Sequence, residues 1–168
     1  MPIKPTWRAN TFLNVSVNFL LMNDVSIVFL DLDNTMLTVN SKLMDEAASD
    51  WILSLIENGI RVRLLSNNLN SRVMRIAAQL GDIDAHSLSM KPFAGHIVKE
   101  VLSTESVDIE NAMIIGDGII TDILAANLLG ARSVLINPIE DRFVIGWYNS
   151  YRRWFIRTIY KDIKIILG

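Results

Sequence analysis

Four polar clusters, three closing an apolar run and one opening a helical pattern, hold the side chains of this chain best able to do chemistry. Asp31-Leu-Asp-Asn-Thr35 follows the run Ser26-Ile-Val-Phe-Leu30, and Ser66-Asn67-Asn68 follows the run from Ile60 to Leu65. Lys91-Pro92 precedes a helical pattern, and Gly116-Asp-Gly-Ile-Ile-Thr-Asp122 follows Ala112-Met-Ile-Ile115. If these ends converge, three or four carboxylates, a hydroxyl and an ammonium share one crevice. Two carboxylates about 4 Å apart repel by roughly 4 kcal/mol at an effective dielectric near 20. Such a cluster captures protons or binds a cation. Oxygen-only ligands without cysteine select a hard ion, and Mg²⁺ keeps several waters while using one or two carboxylates plus a substrate phosphate. Each residue alone has an ordinary explanation. Asp31 or Asp117 could cap a turn, Asp122 suits the first turn of a helix, Ser66 and Asn67 are turn formers, and Lys91 could be a solvated lysine. Their joint occurrence in this order is what marks a site.

The elements that must position these clusters alternate. Continuous apolar runs at Ser26–Leu30, Ile60–Leu65, Ala112–Ile115 and Ser133–Ile136, with a short run within Ile83–Leu88, read as strands buried on both faces. Between them, Leu43–Asn58 with Ala47, Ala48, Trp51, Ile52 and Leu55, then Val73, Ile76, Ala77 and Leu80, then Ile97, Val98, Val101 and Leu102, then Ile119–Leu129 read as helices. Gly59, Gly81 and Gly130 are placed to end three of them. Strands separated by single helices imply parallel βαβ units, hence a three-layer α/β domain with ligands beyond the carboxyl ends of the strands. No repeat or Pro/Gly linker breaks 26–137, so one domain is expected over 1–168, with a core of about 24–140.

Composition agrees. A chain of 168 residues that is 51% hydrophobic can bury a sizeable core. The absence of cysteine excludes a disulfide framework, a thiolate zinc site and a cysteine nucleophile. A net charge of −2 supplies no global attraction for nucleic acid, which is not expected as a partner. The longest apolar neighbourhood, Phe12–Leu30, is broken by Asn14, Ser16, Asn18, Asn23 and Asp24, so no membrane span is expected and a cytoplasmic location is the default. His86 and His96 have no partner at a telling spacing.

Asp31-x-Asp33-x-Thr35, Ser66 after its apolar strand, Lys91, and Gly116-Asp117-x₄-Asp122 together resemble the four motifs of the haloacid dehalogenase (HAD) superfamily of aspartyl-phosphate enzymes. The wording around them, Phe-Leu-Asp-Leu-Asp-Asn-Thr, Leu-Ser-Asn-Asn, Lys-Pro and Gly-Asp-x₃-Thr-Asp, is similar to the small YqeG-like, class IIIA phosphatases, from about Lys4 to about Ile159. That resemblance implies a HAD-type Rossmann-like fold and a Mg²⁺-dependent phosphomonoester hydrolase. Asp31 is then the nucleophile and Asp33 the acid and base. Mg²⁺ is held by Asp31, the Asp33 carbonyl and Asp117, phosphate by Ser66 and Lys91 with Asn34, Thr35 and Asn67 nearby, and Asp122 supports from behind. Relatives in mitochondria and plastids act on phosphatidylglycerophosphate. Two positions depart from the family pattern, Gly118 in place of Gln and Leu128 in place of Arg.

Neither the Thr35–Ser66 nor the Ser66–Lys91 interval has room for an inserted cap domain. A capless site is open and suits a phosphate presented on something large, such as a lipid. Residues 151–168 carry five basic groups and one acidic, a net of +4 beside −6 for the rest. Tyr148, Tyr151, Phe155, Ile159, Ile163 and Ile166 follow helical spacing opposite Arg153, Arg157, Lys161 and Lys164, with Trp147 and Trp154 nearby. An amphipathic helix over about 147–166 is therefore expected, either lying peripherally on an anionic membrane or packed on the core. Two alternatives stand beside the lipid reading: a phosphatase of soluble sugar or nucleotide phosphates, and a metal-binding interaction module serving a GTPase or ribosomal partner.

Overall fold

A computed structural model describes residues 3–38, 40–67, 70–81, 83–87, 89–140, 151 and 154–167. Its elements in chain order are β1 (Trp7–Ala9), α1 (Val17–Met22), β2 (Ile27–Leu30), α2 (Glu46–Glu57), β3 (Arg61–Leu65), α3 (Asn70–Gln79), β4 (Ala85–His86), α4 (Gly95–Glu105), β5 (Ala112–Gly116), α5 (Leu124–Leu129), β6 (Arg132–Ile136) and β7 (Ile165–Ile166). The strands form one sheet in the order β4-β3-β2-β5-β6-β1-β7, and every pairing is parallel.

The two-residue period of β2 explains the layers. Val28 and Leu30 face a core built with Ala48, Ile52 and Leu55 of α2 and Val73 and Ile76 of α3. Ile27 and Phe29 face the other side, against Val98 and Leu102 of α4 and Ala125 and Ala126 of α5. All four β2 side chains are buried, as a parallel strand covered on both faces requires. Helix ends follow local chemistry. Asp45 caps α2, its side chain accepting from the Ala48 N–H at 2.8 Å. Gly59 and Gly130 take positive φ after α2 and α5, where a side chain would be strained.

The chain runs outward from β2 in two directions, through β3 to β4 on one side and through β5 to β6 on the other. The carboxyl ends of β2 and β5 therefore flank the point where strand order reverses, which is where an open α/β sheet leaves a crevice. Among the described residues only α2 lies between β2 and β3, and only α3 between β3 and β4, so those intervals supply no inserted domain there.

The sheet is wider than the five expected strands. β1 adds to β6, with Trp7 beside Val134 and Ala9 beside Ile136, and β7 adds to β1. The expected amphipathic helix over 147–166 is corrected accordingly. Among the described residues helix covers Tyr151 and 154–158, the chain then turns, and Ile165–Ile166 is strand. Of the stripe read as helical, Ile163 packs beside Tyr160 with Ile119, Ile123 and Leu135, and Ile166 joins the main core, as the core-packed alternative has it. Tyr160 is fully buried and its hydroxyl donates to the Ile3 carbonyl at 2.7 Å, tying the two chain ends together. Among the described aromatic residues here, Trp154 alone is over half exposed. Tyr148, Trp147, Arg152 and Arg153 lie outside the described residues, as does Asn68.

Tyr160→Ala is expected to lower stability by about 3–5 kcal/mol in chemical denaturation, the usual cost of deleting a buried aromatic. Tyr160→Phe, which loses only the hydroxyl, should cost about 1 kcal/mol. Unchanged stability in the alanine variant would mean that the segment does not pack as described.

Candidate functional site

The crevice is built from the first residues beyond β2, β3 and β5 and from the loop before α4. Asp31 continues β2, its N–H donating to the Ile115 carbonyl of β5 at 2.9 Å, so the two central strands carry the carboxylate to the sheet's edge. Its side chain is buried and has two partners. The Lys91 ammonium pairs with Oδ1, and the Thr35 hydroxyl lies 3.2 Å from Oδ2. Thr35 accepts from the Asp117 N–H at 2.9 Å and can turn its single hydrogen to Asp31 or to Asp117 Oδ1 at 3.4 Å. One hydroxyl thus aligns the ends of β2 and β5.

Lys91 Nζ also donates to Asp122 Oδ1 at 2.6 Å, with both side chains almost fully buried. Asp122 Oδ2 accepts from the Gly118 N–H at 2.9 Å and from the Thr121 hydroxyl at 3.2 Å. Asp122 therefore fixes Lys91 and the turn after β5. That turn is wide, a π-type turn over Ile119–Ile123 that leads directly into α5. Glycine at its entrance leaves room for this packing. A Cβ on Gly116 would lie 2.4 Å from Asp122 Cγ, and one on Gly118 would lie 1.9 Å from Thr121 Oγ1. The Gly118 departure from the family pattern has a local counterpart here, because the Thr121 hydroxyl fills the space that a side chain would enter.

One oxygen from each of Asp31, Asp117 and Asp122 lies within 4.8 Å of the others, a set able to hold a metal ion. The electrostatics agree. Burial pushes the Asp31 carboxyl up to about 8; Lys91 opposes this, while Asp122 and Asp117 add to it. Burial pulls Lys91 down, but Asp122 and Asp31 outweigh it and hold the ammonium above its ordinary value. Three carboxylates share one ammonium, so negative charge is left over. All donors at the cluster are oxygen, and a hard divalent cation fits both that charge and that chemistry.

Ser66 and Lys91, expected to hold phosphate, come to the same crevice by a shared scaffold. Ser66 continues β3, its N–H donating to the His86 carbonyl of β4 at 3.0 Å, which is the part His86 plays here. Ser66 Oγ lies 3.3 Å from Asp33 Oδ2. Asn67 accepts from the Lys91 N–H at 2.8 Å and donates to the Lys91 carbonyl at 3.2 Å. Ser89, buried, donates to the Ser66 carbonyl at 3.0 Å. Asn67 therefore positions Lys91; its side-chain amide is committed to the Lys91 backbone. Asn34 is committed likewise. At positive φ, its amide donates to the Glu140 carbonyl at 2.9 Å, its oxygen accepts from the Glu140 N–H at 2.8 Å, and its own carbonyl accepts from Ile139. Asn34 straps the loop after β6 to the end of β2.

The residue that the motifs do not announce is Arg72, in the first turn of α3. Its Nη1 pairs with Asp33 Oδ1, while Nε donates to the Ser41 carbonyl and Nη2 to the Thr38 carbonyl, each at 2.8 Å. A cation in a helix's first turn opposes the macrodipole, and that misfit is the signal in the sequence that a carboxylate faces it. His96 stands in the first turn of α4, apart from this network.

Lys91→Met is expected to cost about 3–5 kcal/mol in metal-free buffer, because it leaves Asp31 and Asp122 buried without their cation. A saturating divalent cation should recover part of that loss in a thermal melt. A variant as stable as the parent in chelator would show that the ammonium is not the counter-charge described.

Comparison with known proteins accords with this arrangement. Residues 5–130 match the family model of the haloacid dehalogenase-like hydrolases. The chain is 28% identical over 141 residues to the probable phosphatase YqeG of Bacillus subtilis, covering 84% of this chain and 80% of that protein. Its fold is similar to a hypothetical protein from Xanthomonas campestris (TM-score 0.57, 15% identity, 90% of this chain and 80% of that one). It is also similar to the cobalt-bound form of deoxy-D-mannose-octulosonate 8-phosphate phosphatase from Haemophilus influenzae (TM-score 0.52, 15% identity, 81% of this chain and 90% of that one). With the motif residues gathered at one strand crossing and the family model matching most of its length, the chain belongs to the haloacid dehalogenase-like hydrolases.

Proposed function

We propose that this protein is a Mg²⁺-dependent phosphomonoester phosphatase that works through a phosphoryl group carried on Asp31. The observation that carries the reading is the buried Asp31 carboxylate at the strand crossing, flanked by Lys91 and Thr35 and facing Asp117 and Asp122. An aspartate needs no separate base to become a nucleophile, since a cation bound beside it would offset the burial and the negative neighbours that raise its carboxyl and so favour the charged form. Asp31, Asp117 and the Asp33 carbonyl would hold the ion. Bound there, Mg²⁺ supplies positive charge that lets a carboxylate approach an anionic phosphate.

The chain's own groups then divide the work. An Asp31 oxygen forms a bond to phosphorus as the ester P–O bond breaks, and Asp33 gives its proton to the departing oxygen. In the second half, Asp33 takes a proton from water, whose oxygen bonds to phosphorus and releases Asp31. Lys91 and Ser66 neutralise the oxygens that stay on phosphorus. Thr35, Asn67 and Asp122 orient these groups.

For substrate, the reading is a phosphate borne on a large or apolar body, with a phospholipid phosphate such as phosphatidylglycerophosphate as the leading candidate. The open crevice supports it. So do Met90 and Phe93, on either side of Lys91-Pro92, which are 69% and 74% exposed, and the exposed Ile120 in the turn after β5. These apolar groups could meet a lipid surface without help from residues 160–166, whose apolar side chains are largely spent in the core. Among the described residues no helix is long and apolar enough to cross a membrane, so any such contact is peripheral.

Assay of the purified protein against a phosphate panel, with and without Mg²⁺ and anionic vesicles, is the direct test. Release of phosphate from a lipid phosphate in vesicles, exceeding that from sugar and nucleotide phosphates, is the expected result. Preference for a soluble ester would move the substrate reading to small metabolites. Asp31→Asn should abolish turnover on every substrate while the melting temperature stays near that of the parent. Full activity in the folded, purified variant would remove the mechanism.

A further inference from the structure

We propose that Arg72 is the positioning residue for Asp33. This rests on the reading of Asp33 as the acid and base and adds the group that aims it. Asp33 is the second residue past Asp31, in a tight loop closed by the Asn34 N–H donating to the Leu37 carbonyl at 2.8 Å. Such a loop sets the backbone at Asp33 but leaves its χ angles free. Among the described residues the carboxylate meets the Ser66 hydroxyl, long at 3.3 Å, and forms a charge-assisted pair with Arg72. The charged pair is the stronger of these, so Arg72 bears on the direction of Asp33.

Arg72 is itself well anchored. Its neighbour Val73 and the next-turn Ile76 are buried in the core, which fixes the start of α3. Its other donors are bound to the Thr38 and Ser41 carbonyls, so one planar guanidinium joins α3, the loop after β2 and Asp33. Arginine's fork can meet three separated acceptors at once, whereas a lysine ammonium at that distance cannot. Asp33 is thereby kept at the crevice beside Ser66, at the mouth where a leaving group would exit.

The test exploits leaving-group chemistry. A poor leaving group, an alkoxide, needs the proton that Asp33 delivers; p-nitrophenolate needs it far less. Arg72→Ala should lower the first-turnover rate of leaving-group release by about tenfold or more on an alkyl phosphate and by much less on p-nitrophenyl phosphate, the later hydrolysis of the phosphoenzyme being common to both substrates. Asp33→Asn should show the same selectivity, and adding Arg72→Ala to it should cost nothing further. Equal losses on the two substrates, or an undiminished loss in the Asp33→Asn background, would overturn the proposal and leave Arg72 as a brace for the loop. If Asp33→Asn leaves alkyl-phosphate turnover intact, the acid–base reading fails first and the proposal falls with it. Should Arg72→Ala not fold, Arg72→Lys carries the test, with a smaller loss of the same selectivity expected and a substrate-independent loss contradicting it.

Discussion

A lysine ammonium buried between two carboxylates is the constraint from which the site's arrangement follows. Removing an ion from water costs several kcal/mol even after relaxation, so Lys91 is tolerable only because Asp31 and Asp122 meet it at close range. Those two carboxylates arrive from different strands, Asp31 just beyond β2 and Asp122 in the turn after β5, while Lys91 arrives on the loop before α4. Their meeting demands that β2 and β5 be adjacent and parallel, that glycine stand at 116, and that Asn67 and Ser89 hold the Lys91 loop. The same balance leaves negative charge uncompensated, and the oxygens of Asp31, Asp117 and Asp122 form a set able to hold a metal ion.

The sheet carries this constraint outward. Its reversal point between β2 and β5 gives the crevice, and the short α2 and α3 connections hold no inserted domain among the described residues. Closure is replaced by ties between loops: Asn34 to Glu140, Arg72 to Thr38 and Ser41. These ties use backbone acceptors, so they hold loop shape independently of what occupies the site.

The central strands, their helices and the four clusters were legible in the sequence because each has a strong local cause. A doubly covered parallel strand is apolar throughout, as Ile27–Leu30 is, and Gly59 or Gly130 ends a helix by a backbone conformation that other residues resist. What escaped was decided at long range. β1 and β7 are three and two residues long and exist because an edge was available at β6. Ile163 and Ile166 fit a helical stripe by spacing, yet tertiary burial spends them in a turn and a strand. Asn34 and Asn67 sit in the motifs, but their side chains answer to backbones 106 and 24 residues away. Arg72 belongs to no motif, and only its awkward place in a helix's first turn hints at Asp33.

On the proposed reading Asp31 has one central task, to carry the phosphoryl group between substrate and water. Borohydride reduces an acyl phosphate to the alcohol, so an aspartyl-phosphate trapped during turnover becomes homoserine. Peptide mass spectrometry of protein quenched with borohydride while hydrolysing a phosphate ester with Mg²⁺ present reads this directly. The account predicts homoserine at position 31 and at no other aspartate. Sustained phosphate release with Asp31 unmodified, or with the label on Asp33 or Asp117, would contradict it.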